Sequence, residues 1–387
     1  MKQGWEIKPL KEFLEVQNGY AFNSKLFNNT DGMPLIRIRD LKNGRNTKVK
    51  FVGKYDEKYV VTKGDFLIGM DGEFGCYEWI GDDALLNQRV CRLQDFKNDL
   101  IPKFLFHGIN KYLKDIEDVT TYTTVKHISS KQIKGITFPI PPLDEQKRIV
   151  AKLDECFEAI HIARTNVEKN LSNAKELFQS QLNQIFASTG SATDGDSPEL
   201  AEGWVEKKLV EVCENLDSRR IPITKNKRIS GDIPYYGASG IVDYVADFIF
   251  DEDLLLVSED GANLLARTYP IAFPISGKTW VNNHAHALKF ENMGSQKFVE
   301  YYLNSIKLDD YVSGMAQPKL NQKMLNSIPV PYPEIDIQKE IVNQLDDLKS
   351  KTQTLESNYQ QELDALDELK KSILQKAFRG ELTIDNG

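Results

Sequence analysis

The residues best placed to do chemistry in this chain are cations set among turns. Residues 35–63 begin LIRIRDLKNGRNTKVK and carry nine Lys/Arg against three acids. Arg37 and Arg39 alternate as on a strand, which predicts one shared face; KNGR then predicts a turn carrying Lys42 and Arg45, with Lys48 after it. Arginine in such a setting suits bidentate donation to guanine O6 and N7, and lysine suits phosphate neutralisation. The opposing reading is an edge strand kept soluble by charge. The segment SRRIPITKNKR (218–228) has the same character, with Arg219, Arg220, Lys225, Lys227 and Arg228 and no acid. Two further loops, TYTTVKHISSKQ (121–132) and SGMAQPKLNQK (313–323), bring Lys126 and Lys319 beside predicted helix starts, where free N–H groups bind phosphate. Capping by Ser129 and Asn321 explains the same residues.

Other reactive types point less far. His284 and His286 are two apart, so a strand would turn both the same way, but no third metal ligand follows and a polar structural role is expected. Cys76 and Cys91 read as small core residues, and Phe157 and Phe178 as core or partner-facing. Asp71-Gly72 and Asp260-Gly261 read as turns. No Walker lysine loop, GxSxG, HExxH or Asn/Asp-Pro-Pro-aromatic motif occurs. A non-catalytic chain with no cofactor or metal of its own is the expectation.

Composition sets the frame. At 387 residues the chain should form more than one core. The opening MKQGWEIKPL has no signal-peptide core, no apolar run spans a membrane, and four scattered cysteines suit a reduced, cytoplasmic setting. The net charge of −8 is unevenly spread: residues 1–143 carry 22 basic and 18 acidic side chains, a net +4, and residues 204–333 carry 14 and 16, a net −2. Overall acidity therefore does not exclude nucleic acid, because an electrostatic footprint is local.

What must position these residues is a repeat. PIPPLDEQKRIVAKLDE (139–155) matches PYPEIDIQKEIVNQLDD (331–347) at nine of seventeen positions, and the register holds without a gap for about fifty residues, through Leu177/Leu369 to Phe186/Phe378. Apolar residues step by three and four throughout, which predicts two long helices with a coiled-coil seam. Prolines lead in, Asp144 and Asp336 are candidate N-caps, and Gly190 and Gly380 candidate closures. The shared Gln, Lys and acidic residues are expected to face solvent or a partner, and the width of the apolar stripe suggests partner helices. Each helix follows a globular unit opening on GW, built from β-type runs (PLIRIR, FVGKYDEKYVV, FLIGM; IVDYVADFIF, LLLVSED, HAHALKF) and ending in a short helix at 129–134 or 321–325. A linker rich in small and acidic residues, 188–203, separates the halves. The boundaries are 1–143, 144–190, 191–333 and 334–387.

These features resemble the specificity subunit of a type I restriction–modification enzyme. The residues that carry the resemblance are the two GW openings, PIPPLDEQKRIV and PYPEIDIQKEIV, the ends LFQSQLNQIF and LKKSILQKAFRGEL, and VSGMAQPKLNQKMLNSIPVPYP. The resemblance implies an α+β architecture with a pseudo-twofold internal repeat: two mixed α/β target recognition domains separated by two long antiparallel coiled-coil helices. It implies double-stranded DNA as ligand, read as a bipartite target with one half-site per domain. It also implies two methyltransferase subunits, which would bring S-adenosylmethionine, and restriction subunits that translocate and cleave. A coiled-coil adaptor without DNA specificity and an enzyme with an unrecognised site are the competing readings.

Overall fold

The computed structural model describes residues 4–42, 44–120, 126–187, 203–314 and 317–382. The 188–202 linker, Gly190 within it, lies outside them. The chain divides into two units: Met1–Asn166 with Glu362–Gly387, and Val167–Gln361. Each therefore contains the first part of one long helix and the last part of the other.

In the first unit a four-stranded antiparallel sheet runs in the order Glu15–Asn18, Val90–Gln94, Phe66–Gly69, Gly75–Glu78. Its core residues include Ile68, Cys76 and Cys91, and Phe104, Leu105 and Ile109 of the helix Pro102–Val119 cover them. That helix is not among the elements expected from the sequence, although Pro102 opens it where no N–H is needed and its apolar residues fall at 104, 105, 109 and 113. Gly108 is required by a close approach, since a Cβ there would lie 2.4 Å from the Phe378 ring, which sits tilted against Phe104 at 5.1 Å between centroids. A second, five-stranded sheet is more broken than its sequence suggests. PLIRIR is a strand only at Met33–Ile36, and FVGKYDEKYVV is two short strands, Lys50–Phe51 and Val60–Val61. The chain leaves the first strand because Asp40 accepts the Arg37 N–H at 2.9 Å and starts the helix Ile38–Leu41.

The second unit repeats the plan. Its antiparallel sheet runs Glu214–Asn215, Ala285–Lys289, Leu254–Ser258, Ala272–Ile275, covered by the helix Met293–Ser305, which Asn292 caps. IVDYVADFIF divides into Gly240–Val245 and Phe250–Asp251.

Both long helices are 45 residues, Leu143–Ala187 and Ile335–Arg379, about 65 Å each at 1.5 Å per residue. Within the first unit they run antiparallel: Arg164 meets Asp367 at 2.5 Å and Phe157 lies under Lys370 at 5.1 Å, while Ile149 and Leu153 share a core with Ile373 and Ala377. In the second unit Phe178, Leu182 and Phe186 share a core with Val342 and Leu345. Much of the wide apolar stripe is thus consumed by the chain itself. Leu177 and Leu369 remain exposed.

The starts of the helices differ from expectation. Asp144 and Asp336 lie inside the first turn, because the helices begin one residue earlier, at Leu143 and Ile335. Gly380, at φ +77°, does close the second helix, with Glu381 N–H reaching Lys376 O. The proline-led segments are strands: Thr137–Ile140 pairs with Glu6–Pro9, and Pro329–Pro333 with Trp204–Lys208. The repeated glutamines are buried rather than exposed. Gln146 donates to Pro141 O and Asp99 O, both at 2.9 Å, and accepts from Ile101 N–H at 2.8 Å. Gln338 donates to Pro333 O at 2.8 Å and accepts from Ser295 Oγ at 2.8 Å. Glu145 is buried too, accepting from the Trp5 indole at 3.1 Å. Asp154 binds Lys103 (2.8 Å) and His107 (3.2 Å), as Asp346 binds Lys297 and Tyr301, both at 2.6 Å. Only Asp144, Lys147, Asp336 and Lys339 of this set stay exposed.

Gln146→Ala and Gln338→Ala strand buried partners, so each should cost about 2–3 kcal/mol. Urea unfolding of the single variants checks this, with Lys147→Ala as a control expected to change stability by less than about 0.5 kcal/mol.

Candidate nucleic-acid interface

Most of the candidate cations are placed by local backbone, and burial sorts them. Arg37 sits beside Asp40 at the start of the helix Ile38–Leu41, half buried, and does not share a strand face with Arg39. Arg39, Arg45 and Lys48 are exposed; Lys42 is exposed and pairs with Glu73 at 2.7 Å. Lys126 donates to Glu117 O at 2.6 Å, closing the helix Pro102–Val119 where a cation meets the helix dipole. Arg219 pairs with Glu252 at 2.7 Å and lies over the Phe250 ring at 4.7 Å. Lys225 and Lys227 are exposed. Arg228 is mostly buried, paired with Asp243 at 2.8 Å and stacked on Tyr235 at 4.3 Å.

Arg220 is the clearest correction. Its side chain is 11% exposed and binds Glu259 and Ala285 O, both at 2.7 Å, and Asp217 at 3.2 Å. His286 completes this cluster, fully buried, with Nδ1 at 2.5 Å from Asp217 and Nε2 at 2.8 Å from Leu320 O. Burial works to raise the Asp217 carboxyl, but the His286 hydrogen bond and charge, the Ala287 N–H and Arg220 hold it below the ordinary carboxylate range. Ligand atoms of Asp217, Glu259 and His286 lie within 4.8 Å of one another. However, Arg220 and Lys319 (3.2 Å from Glu259) already neutralise these acids, and His286 Nε2 is committed to a carbonyl. The arrangement is an ionic network, and a metal would have to displace a guanidinium.

His284 and His286 do not face alike, because the strand begins at Ala285: His284 is exposed, with Nδ1 2.7 Å from Asp260. The Cys91 and Cys213 thiols are each pushed up to about 12 by burial, and Cys76 higher, so none is a thiolate at neutral pH.

A junction that the cation search missed recurs in both units. In the first, Met70 N–H reaches Arg89 O, Gly72 N–H reaches Lys126 O, and Ile128 N–H reaches Met70 O. In the second, Glu259 N–H reaches His284 O, Gly261 N–H reaches Pro318 O, and Leu320 N–H reaches Glu259 O. The turn glycines Gly72 and Gly261 have φ of +78° and +112°. Asp71 thereby meets Arg89 (3.3 Å) and His127 Nδ1 (2.6 Å), and Asp260 meets His284. The faint likeness of GMDGEFG to SEDGANL and of LLNQRVCRL to VNNHAHAL marks this junction in the sequence.

With two equivalent units on duplicated helices in view, the match to known proteins is direct. The sequence model of the type I restriction modification DNA specificity domain fits residues 2–171 and 201–365. The chain belongs to this family. It is similar to the specificity subunit of the type I restriction enzyme EcoBI from Escherichia coli, 29% identical over 98% of this chain and 86% of that one. It is also similar to the MjaVIII specificity subunit of Methanocaldococcus jannaschii, 22% identical over 99% and 94%. In fold it resembles a chain from a study of complex assembly and conformational transition in a type I R-M system (TM-score 0.73, 20% identity, 99% of both chains). A crystal structure of the HsdS subunit from Thermoanaerobacter tengcongensis gives 0.60, at 20% identity over 99% and 98%. No described helix is long and apolar enough to cross a membrane.

Arg220→Met should destabilise by about 3–5 kcal/mol, since it leaves Asp217 and Glu259 buried with one cation fewer. Lys225→Ala with Lys227→Ala should change stability by less than about 0.5 kcal/mol. Denaturant melts of the two variants separate the structural cation from the exposed ones.

Proposed function

We propose that this specificity-family chain reads a bipartite DNA target, one half-site per unit, and holds the methyltransferase subunits that modify it. The observation that carries the reading is the duplicated anchor. Gln146 with Asp154, and Gln338 with Asp346, tie each globular unit to its long helix from the same repeat positions, through a proline carbonyl and a lysine in both. Two readers fixed alike to paired antiparallel helices suit two half-sites separated by unread base pairs.

Two identical partners need two identical docking points. Leu177 and Leu369 occupy equivalent repeat positions and are each 48% exposed, so the duplicated helices present the same apolar side chain twice. They are proposed as methyltransferase contacts. The partner would bring S-adenosylmethionine and the transfer chemistry, and restriction subunits would join that assembly. The chain itself contributes recognition and scaffolding in the cytoplasm and catalyses nothing.

Co-expression with a cognate methyltransferase, followed by sequencing of methylated host DNA, tests the reading; it expects one bipartite motif, and absence of any such motif overturns it. Exchanging residues 204–330 for those of a relative should change one half of the motif only. Inserting four residues near Lys169 should alter the gap or stop assembly. Leu177→Glu should remove one methyltransferase copy and the double variant with Leu369→Glu both, as read by native mass, with melting of the isolated chain unchanged.

A further inference from the structure

The Asp-Gly junctions keep one feature while losing almost everything beneath it. Sheet registers equate Cys91 with His286, through their partners Ile68 and Val257, and the shared amide bonds equate Met70 with Glu259. The interior under the junction is thus apolar in the first unit and ionic in the second. On the surface each unit retains an aspartate that holds an exposed nitrogen base from the same turn, Arg89 or His284. A second exposed base, His127 or Lys319, arrives from the loop before the short helix.

From this we propose that Arg89 with His127, and His284 with Lys319, are the contacts by which each unit selects its bases, with Asp71 and Asp260 as positioning residues. The inference rests on the reading of both units as DNA binders and names where they bind. Stability does not explain the retained pairs. Arg89, His127 and His284 are 45–58% exposed, a setting in which ion pairs contribute roughly 0–1 kcal/mol, and the three amide bonds already hold each junction; Lys319 also balances the buried Glu259 but keeps an exposed ammonium. Arg89 also adopts φ +73°, a left-handed conformation that glycine or asparagine would take at less cost, so its side chain earns its place otherwise.

The chemistry fits base edges. Asp71 engages Nη1 of Arg89 alone, at 3.3–3.4 Å, and a guanidinium has five donors, enough left over for guanine O6 and N7. Both histidines turn Nδ1 to their aspartate, which leaves Nε2 for a base or phosphate. The residue type changes between units while its place does not, as two readers of different half-sites require.

The test uses the full chain co-expressed with its methyltransferase, scored by methylome sequencing and by DNA affinity. Arg89→Ala and Arg89→Lys should both relax one half-site, with discrimination falling on the order of 10–100-fold, because an ammonium cannot make two parallel bonds. His284→Ala should relax the other half-site only. Asp71→Asn, which keeps shape, should relax the same half as Arg89→Ala with an unchanged melting temperature. If the wild type writes a bipartite motif and these variants write it unaltered at equal affinity, the inference is wrong while the wider reading stands. A uniform loss of affinity with the motif intact would make the four residues phosphate contacts and equally overturn it. No bipartite motif from the wild type would instead sink the wider reading.

Discussion

The structure depends on how an extended proline-led strand turns into a long helix. A strand and a helix share no backbone hydrogen bonds, and prolines around 141 and 333 remove donors that would stiffen the corner. The glutamine one turn into each helix supplies the missing link, reaching back to the carbonyl of Pro141 or Pro333 and sideways to the globular unit. Because these amides are buried, a misaligned helix would leave several polar groups unpaired at once. The direction in which each helix leaves its domain is therefore set by hydrogen-bond geometry, and hydrophobic packing against Phe104 or Phe298 follows from it.

The same backbone tolerates very different interiors. Below the junction of the second unit, Arg220, Asp217, Glu259, His286 and Lys319 neutralise one another; the first unit places methionine and cysteine, Met70 and Cys91, at two of those positions. A buried ion network is weak evidence of stabilisation, but once present it requires all its members. This is why a basic run such as 218–228 divides into structural arginines, Arg220 and Arg228, and exposed lysines. Charge count registers the run, whereas partner geometry decides the use of each residue.

That distinction marks what the sequence could reveal. The paired helices, their ungapped register, the closing glycine at 380 and the Asp-Gly turns were legible because each follows from local period or backbone freedom. The burial of Gln146 and Gln338 was not, since a polar residue on an amphipathic helix looks solvated until a carbonyl from a distant strand faces it. Arg37 was misassigned for a related reason: a two-residue alternation reads as a strand, but Asp40 captured the Arg37 N–H and turned the chain into helix. The helices at 102–119 and 293–305 carried readable periods and were overlooked between stronger signals.

Duplication within one chain also supplies an internal control. Positions identical in both copies and buried, such as Gln146/Gln338, need no ligand to explain them. Positions identical, apolar and exposed, such as Leu177/Leu369, are open to the methyltransferase proposed to dock there. Positions fixed in backbone but changed in side chain, such as Arg89/His284, suit the two different half-sites proposed for one scaffold. Assembly should use the second class and recognition the third, and the two classes fall on separate elements, the long helices and the sheet-edge turns.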